Sequence, residues 1–274
     1  MKSLCIFILV GLVASGCVTT GPTVKSIDLR NQKEIDVEIR PTVINERVRN
    51  PTVLIFSGSG GVEGKDYHWV EFFKANGYNT VIVEYIRSRG IQSLTMRLID
   101  IPGPQVAVDA HKVAEWVIEQ PWSNGSVGMI GFSWGGRAGI FAASERQATN
   151  DFGKRTPLKA IVAVYPGCPV PGWEYSDNWS APVQIHWAGA DMWTSGGLSA
   201  CEDAARNNKS LEELYVYPDV HHNYDNPAWQ GTVYIPCQIR RAYGQSGGCS
   251  VAYSASATDL TRERSLKFFD RHLK

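Results

Sequence analysis

Three segments, in chain order, carry the residue types of nucleophilic acyl chemistry. They are Gly131-Phe132-Ser133-Trp134-Gly135, then Asp191, then His222. A serine hydroxyl is a poor nucleophile at neutral pH. It needs a neutral imidazole to take its proton as attack occurs, and a carboxylate to hold the other ring N–H and stabilise the imidazolium that forms. The first segment is a G-x-S-x-G box. It follows the apolar run Ser126-Val-Gly-Met-Ile-Gly131, which reads as a buried strand feeding a sharp turn into a helix. Glycines two residues either side of Ser133 let the backbone crowd there without Cβ clashes, so the hydroxyl is lifted clear of the sheet. The box alone is weak. With Gly and Ser each at about 7%, a random chain of this length contains it about one time in ten. A glycine-rich turn with Ser133 as a helix N-cap is the bland alternative.

Context adds weight. Each candidate follows an apolar strand-like run, where reacting groups gather in an open parallel sheet. On this reading Ser133 is the nucleophile, His222 the base and Asp191 its orienter. The backbone N–H of Trp134 and one from the turn Phe56-Ser57-Gly58-Ser59-Gly60-Gly61, at Ser59, form the oxyanion hole. Losing one such donor costs about 2.7–4 kcal/mol in the barrier. His221 is the alternative base, one residue out of register. Asp219 and Asp225 are alternative orienters, but they share the histidine's own loop. A His-His pair also suggests metal, yet no third ligand stands at useful spacing. No metal and no cofactor are expected. His68, His111, His186 and His272 read as surface or packing residues. Glu84 reads as a partner of Arg87 or Arg89, with a place near the site as the alternative.

The positioning elements alternate. Glu34–Arg40 alternates polar and apolar, as a half-exposed edge strand does. Thr52–Phe56, Thr80–Glu84, Ser126–Ile130, Ala160–Tyr165, Val183–Trp187 and Leu214–Tyr217 read as strands. Helices are expected over Tyr67–Asn76 with Gly77 as the stop, and over Gln105–Gln120 between Pro104 and Pro121. Others are expected over about Trp134–Glu145, Gly197–Asn207 and Thr258–His272. Such alternation predicts an α/β protein with a mostly parallel central sheet and helices on both faces. Residues 226–256 break the pattern and read as an insertion after the histidine, at the mouth of the site. Tyr234, Tyr243 and Tyr253 give the insertion aromatic surface. Trp134, Trp187 and Trp193 stand beside the motifs as candidates for an apolar pocket.

The amino end is set apart. Met1-Lys2 and the apolar stretch Leu4–Val13 precede Ala14-Ser15-Gly16-Cys17. This is the layout of an export leader over residues 1–16, too short to span a bilayer comfortably. The last four residues resemble a bacterial lipobox with Cys17 lipidated, though alanine stands where leucine is usual. An ordinary cleaved secretory signal is the alternative. Val18 after the cysteine implies, by resemblance to lipoprotein sorting, the outer membrane facing the periplasm. Residues 17–25 read as a tether and 26–274 as one domain.

Acidic and basic residues number 27 each. With no charge block, neither nucleic acid nor a membrane surface is an expected partner beyond the lipid anchor. The oligomeric state is not legible. Export permits disulfides, and the four remaining cysteines are read as Cys168–Cys201 and Cys237–Cys249, the latter closing a short Gly- and Ser-rich loop. Reduced buried thiols are the alternative.

Together these motifs resemble a known family. The order Ser…Asp…His is that of α/β-hydrolases. Tyr165-Pro166-Gly167-Cys168, Asp191-Met192-Trp193-Thr194 and His222-Asn223-Tyr224-Asp225-Asn226-Pro227 resemble dienelactone hydrolase-type members of that fold. Ser88-Arg89-Gly90 and Asp109 fit the same pattern. The resemblance covers about residues 50 to 230 and implies Asp191 as the acid and His222 as the base. It also places Cys168 and Cys201 where many members carry cysteine. Two departures stand out: the family's nucleophile is cysteine where Ser133 stands, and the Cys237–Cys249 insertion is outside its pattern. The expected activity is a serine carboxylesterase on a small-molecule ester. A serine peptidase of the same fold, or a lipid-anchored binding protein with a vestigial site, are the alternatives. Short-acyl esters are expected to react faster than long ones, because a rim shaped by the insertion restricts bulky chains.

Overall fold

The computed structural model describes residues 22–96, 98–153, 155–168, 178–194, 197–237 and 248–274. The leader, the candidate lipidation site Cys17 and Tyr243 lie outside them. Ten strands are described: β1 Thr23–Asp28, β2 Lys33–Thr42, β3 Asn50–Phe56, β4 Asn79–Val83, β5 Ser123–Phe132, β6 Ala160–Val164, β7 Val183–Ala188, β8 Leu211–Tyr217, β9 Val233–Ile235 and β10 Cys249–Val251. The α-helices among the described residues are α1 Gly64–Ala75, α2 Gly103–Ile118, α3 Trp134–Ala143, α4 Glu145–Phe152, α5 Gly197–Asn207 and α6 Ala255–Leu273.

Eight strands form one sheet in the order β1-β2-β4-β3-β5-β6-β7-β8. From β4 through β8 every pairing is parallel, and β1 and β2 are antiparallel additions. The central strands β3 to β7 are buried along nearly their whole length, so they are mostly apolar and alternate residues serve two cores. Leu54, Phe56, Val81, Val83, Val127 and Met129 face α2, α3 and α5. Val53, Ile55, Ile82, Ile130 and Phe132 face α1 and α6. Burying one such side chain contributes about 1.5–3 kcal/mol. The expected α/β-hydrolase architecture is therefore the observed one.

Three local readings need correction. Residues 23–25, read as tether, begin β1. That strand pairs with β2 from Thr23↔Glu38 to Asp28↔Lys33 and buries Val24, Ser26 and Asp28. The edge strand is accordingly β1, and β2 is internal. The helix read over 134–145 ends at Ala143. Ser144 leaves the helical region (φ −61°, ψ 126°) and caps α4, its side chain accepting from the Gln147 N–H. The insertion is also not wholly irregular. It forms the antiparallel pair β9–β10, and α6 begins at Ala255 behind the Ser254 cap.

Candidate active site

Ser133 sits between β5 and α3 with φ 52° and ψ −112°. A non-glycine residue there is strained, and such strain clusters at functional turns. The neighbouring glycines explain how the turn is tolerated. A Cβ on Gly131 would lie 2.2 Å from the Gly135 carbonyl oxygen, and one on Gly135 would lie 2.5 Å from the carbonyl oxygens of Phe56 and Ser57. The strand, the helix and the end of β3 thus meet at van der Waals limits around the serine.

Asp191 arrives from the loop after β7. Gly189 lets that loop cross the end of β8, since a Cβ there would stand 2.8 Å from the Tyr217 carbonyl oxygen. One Asp191 oxygen accepts from the Trp193 N–H at 2.6 Å, and the other lies 2.6 Å from His222 Nδ1. A carboxylate only accepts, so the Nδ1 carries the proton and Nε2 is left as the acceptor. That nitrogen is 2.9 Å from Ser133 Oγ. His221, Asp219 and Asp225 do not make the His222 Nδ1 contact, which Asp191 makes: His221 Nδ1 contacts Ser250 Oγ at 2.9 Å, and Asp225 is engaged with Tyr165 and Trp69. The imidazole is held between rings, Tyr165 at 4.7 Å and Trp193 at 5.4 Å between centroids.

The turn after β3 runs against Ser133. A Cβ on Gly58 would lie 3.3 Å from Ser133 Cβ. The Ser59 carbonyl accepts from the Leu94 N–H at 2.7 Å, and the Tyr85 hydroxyl donates to the Ser57 carbonyl at 3.0 Å, which pins the turn. The Trp134 N–H is the first of α3, so it has no partner within the helix. Ser59 and Ser133 line one open cleft of about 510 Å³. Its other walls carry Glu63, Lys65, Tyr165, Trp193, Trp229, Ile235 and Val251.

Of the three tryptophans expected at a pocket, only Trp193 lines this cleft. Trp187 is a core residue, and the Trp134 indole donates to the Ile101 carbonyl at 3.0 Å. Trp229, from the insertion, was not singled out in the sequence. Glu84 pairs with Arg40 at 2.7 Å instead of Arg87 or Arg89, because Arg89 is bound to Asp109 at 2.8 Å. His111 and His186 are buried packing residues, and His68 is exposed, as expected. Beneath the cleft lies a charged cluster that the sequence did not reveal. Burial alone would lower the Lys65 ammonium, yet Asp225 and Asp66 hold it above its usual value. Burial pushes the Glu63 carboxyl up. Both expected disulfides are formed, Cys168–Cys201 and Cys237–Cys249. The second ties together the strands of the β9–β10 hairpin. This hairpin reaches the site through a bridge from Val251 to His222 and a bond from the Trp193 indole to the Ser250 carbonyl, 3.1 Å.

The model of the X-Pro dipeptidyl-peptidase (S15) family matches residues 31–218, more than half of the chain. The chain belongs to that family. Among curated proteins none matches it. Solved structures agree on the fold. A dienelactone hydrolase from Anabaena variabilis is 16% identical with a TM-score of 0.59, over 93% of this chain and all of that one. A Pyrococcus furiosus esterase is 14% identical with a TM-score of 0.59, over 92% of both chains. Dipeptidyl peptidase 4 of Porphyromonas gingivalis is 15% identical with a TM-score of 0.57, over 93% of this chain but 36% of its own. The S15 member is thus a hydrolase of the α/β fold, shared with both esterases and peptidases.

Proposed function

We propose that this S15-family protein is a serine carboxylesterase working through an acyl-enzyme on Ser133. The observation that carries the reading is the continuous chain from Ser133 Oγ to His222 Nε2 at 2.9 Å and from His222 Nδ1 to Asp191 at 2.6 Å. His222 takes the serine proton as the hydroxyl oxygen attacks the ester carbonyl, and Asp191 stabilises the imidazolium. The N–H groups of Trp134 and Ser59 receive the oxyanion. His222 then donates the proton to the leaving alcohol, and water repeats the sequence in reverse. The acyl group is short, because the β9–β10 hairpin walls the cleft at Ile235 and Val251. A leader over residues 1–16, with lipidation at Cys17, exports the chain to the outer membrane facing the periplasm. The two disulfides support an oxidising setting.

The second reading is a peptidase, favoured by the family's own description as X-Pro dipeptidyl-peptidases. One experiment separates them. The wild type and Ser133→Ala are treated with a fluorophosphonate, then assayed on p-nitrophenyl esters from acetyl to dodecanoyl and on an Xaa-Pro p-nitroanilide. Labelling of the wild type alone, with kcat/KM greatest for short esters, is expected. A higher kcat/KM on the anilide makes the protein a peptidase. Absence of labelling removes the nucleophile assignment, and a steady rise to dodecanoyl removes the short-acyl pocket.

A further inference from the structure

Asp225 sits three residues after His222, on the same loop, and its side chain is fully buried. Donors from two other elements converge on it. The Tyr165 hydroxyl, from just beyond β6, donates to one oxygen at 2.5 Å. The Trp69 indole, from α1, donates to the other at 2.8 Å, with Lys65 Nζ 3.6 Å from that same oxygen. A buried carboxylate so surrounded is expensive to disturb, since each stranded partner keeps its desolvation cost.

Tyr165 ties this cluster to the imidazole itself. Its ring lies 4.7 Å from the His222 ring while its hydroxyl holds Asp225, so one side chain touches both ends of the loop segment 222–225. Its backbone adopts φ 39°, unusual for a bulky residue. Its N–H donates to the His186 carbonyl at 2.7 Å, which fixes that conformation from β7. Strain at a site-lining residue, over-determined by its neighbours, is the pattern of a pre-organised constellation. Asn223 is in the left-handed region too, at φ 59°. The loop therefore turns sharply between the imidazole and the anchor.

We propose that Asp225, clamped by Tyr165 and Trp69, is a positioning residue that sets the direction of His222 toward Ser133. The clamp does not touch the reacting atoms. It limits rotation of the histidine loop, and catalytic efficiency falls steeply when a base is misplaced by about 1 Å. The claim rests on Ser133 as nucleophile and His222 as its base.

Tyr165→Phe is the direct test, because it removes one hydroxyl and keeps the ring against His222. Folding is checked first by circular dichroism and thermal unfolding. The rate of fluorophosphonate labelling and the kcat and KM for p-nitrophenyl acetate are then compared with wild type. The expected result is a kcat and a labelling rate at least ten-fold lower with KM within two-fold. Asp225→Asn is expected to do the same, and the double variant to lose no more than the worse single one, since both cut one linkage. A purely structural role would lower the melting temperature and leave kcat and labelling of the folded protein unchanged. That result, or a rise in KM at unchanged kcat, overturns the proposal. If Tyr165→Phe does not fold, Asp225→Asn decides alone. If neither folds, Asp225 is a folding residue and the proposal falls. A wild type that does not label overturns the nucleophile reading and this inference with it. A labelled wild type with unaffected variants overturns only the positioning role.

Discussion

Gly131→Ala tests whether close packing around the serine turn is what places the nucleophile. The added Cβ would lie 2.2 Å from the Gly135 carbonyl oxygen, 2.4 Å from its carbon and 2.7 Å from the Gly136 nitrogen. All three are backbone atoms at the start of α3, so no side chain can rotate away. Restoring ordinary contact, 3.4 Å or more, requires the helix start to move by at least about 1 Å relative to β5. A displacement of that size costs about 10²-fold in rate, and such overpacking costs about 1–3 kcal/mol in stability. Gly64→Ala is the control. It lies at the start of α1 with nothing within 4 Å of its Cβ. Its kcat should match wild type. The measurements are kcat for p-nitrophenyl acetate and urea unfolding midpoints. If folded Gly131→Ala keeps more than about a third of the wild-type kcat, then close packing of β5 on α3 does not position the serine.

Four other outcomes are expected. Ser133→Ala should fold normally and lose on the order of 10⁴-fold or more in kcat; retention of a tenth of activity would move the nucleophile elsewhere. His222→Ala should be similarly inactive while His221→Ala, which loses the Ser250 hydrogen bond, stays within a few-fold of wild type; the reverse pattern would shift the base by one residue. Replacing either cysteine pair by serine should lower stability by about 2–4 kcal/mol, read from urea unfolding, and non-reducing peptide mapping should return only the 168–201 and 237–249 links. Stability should also fall on acidification. Burial lowers His111 to about 4 and His186 to about 3, both below the unfolded value near 6.5. The unfolded chain therefore binds protons first. Their contribution is complete above about pH 6.5 and lost as pH drops toward 4, at about 2 kcal/mol per histidine by pH 5. Glutamine at both positions should flatten the slope between pH 6.5 and 5; an unchanged slope would assign it to other groups.

What could be read in advance, and what could not, follows from where each residue gets its place. Ser133 stands directly after β5, Asp191 three residues after β7 and His222 five residues after β8. In a parallel sheet that local fact alone sends them to the same, carboxyl end of the sheet, so their meeting was legible without knowing any contact. The cysteine pairs were legible for a similar reason, as four thiols offer few pairings and one pair closes a short loop. β1 was lost because two of its three buried residues, Ser26 and Asp28, are polar. Ser26 donates to Asp109 at 2.6 Å and Asp28 binds Arg30, which gives the strand the composition of a linker. Trp229 and the Glu84–Arg40 pair were missed because nothing near them in sequence names their neighbour.

The clearest case is Asp225. From its loop it competes with Asp191 as the orienter of His222, and composition does not separate the two. The difference arises 60 residues away, where Tyr165 offers a hydroxyl, and on α1, where Trp69 offers an indole N–H. Both Asp225 oxygens are engaged by these donors, and the His222 Nδ1 contact goes to Asp191. The role of a carboxylate in such a site is thus settled by which donors reach it first. Those donors belong to the packing of β6 and α1, which no spacing along the histidine loop encodes.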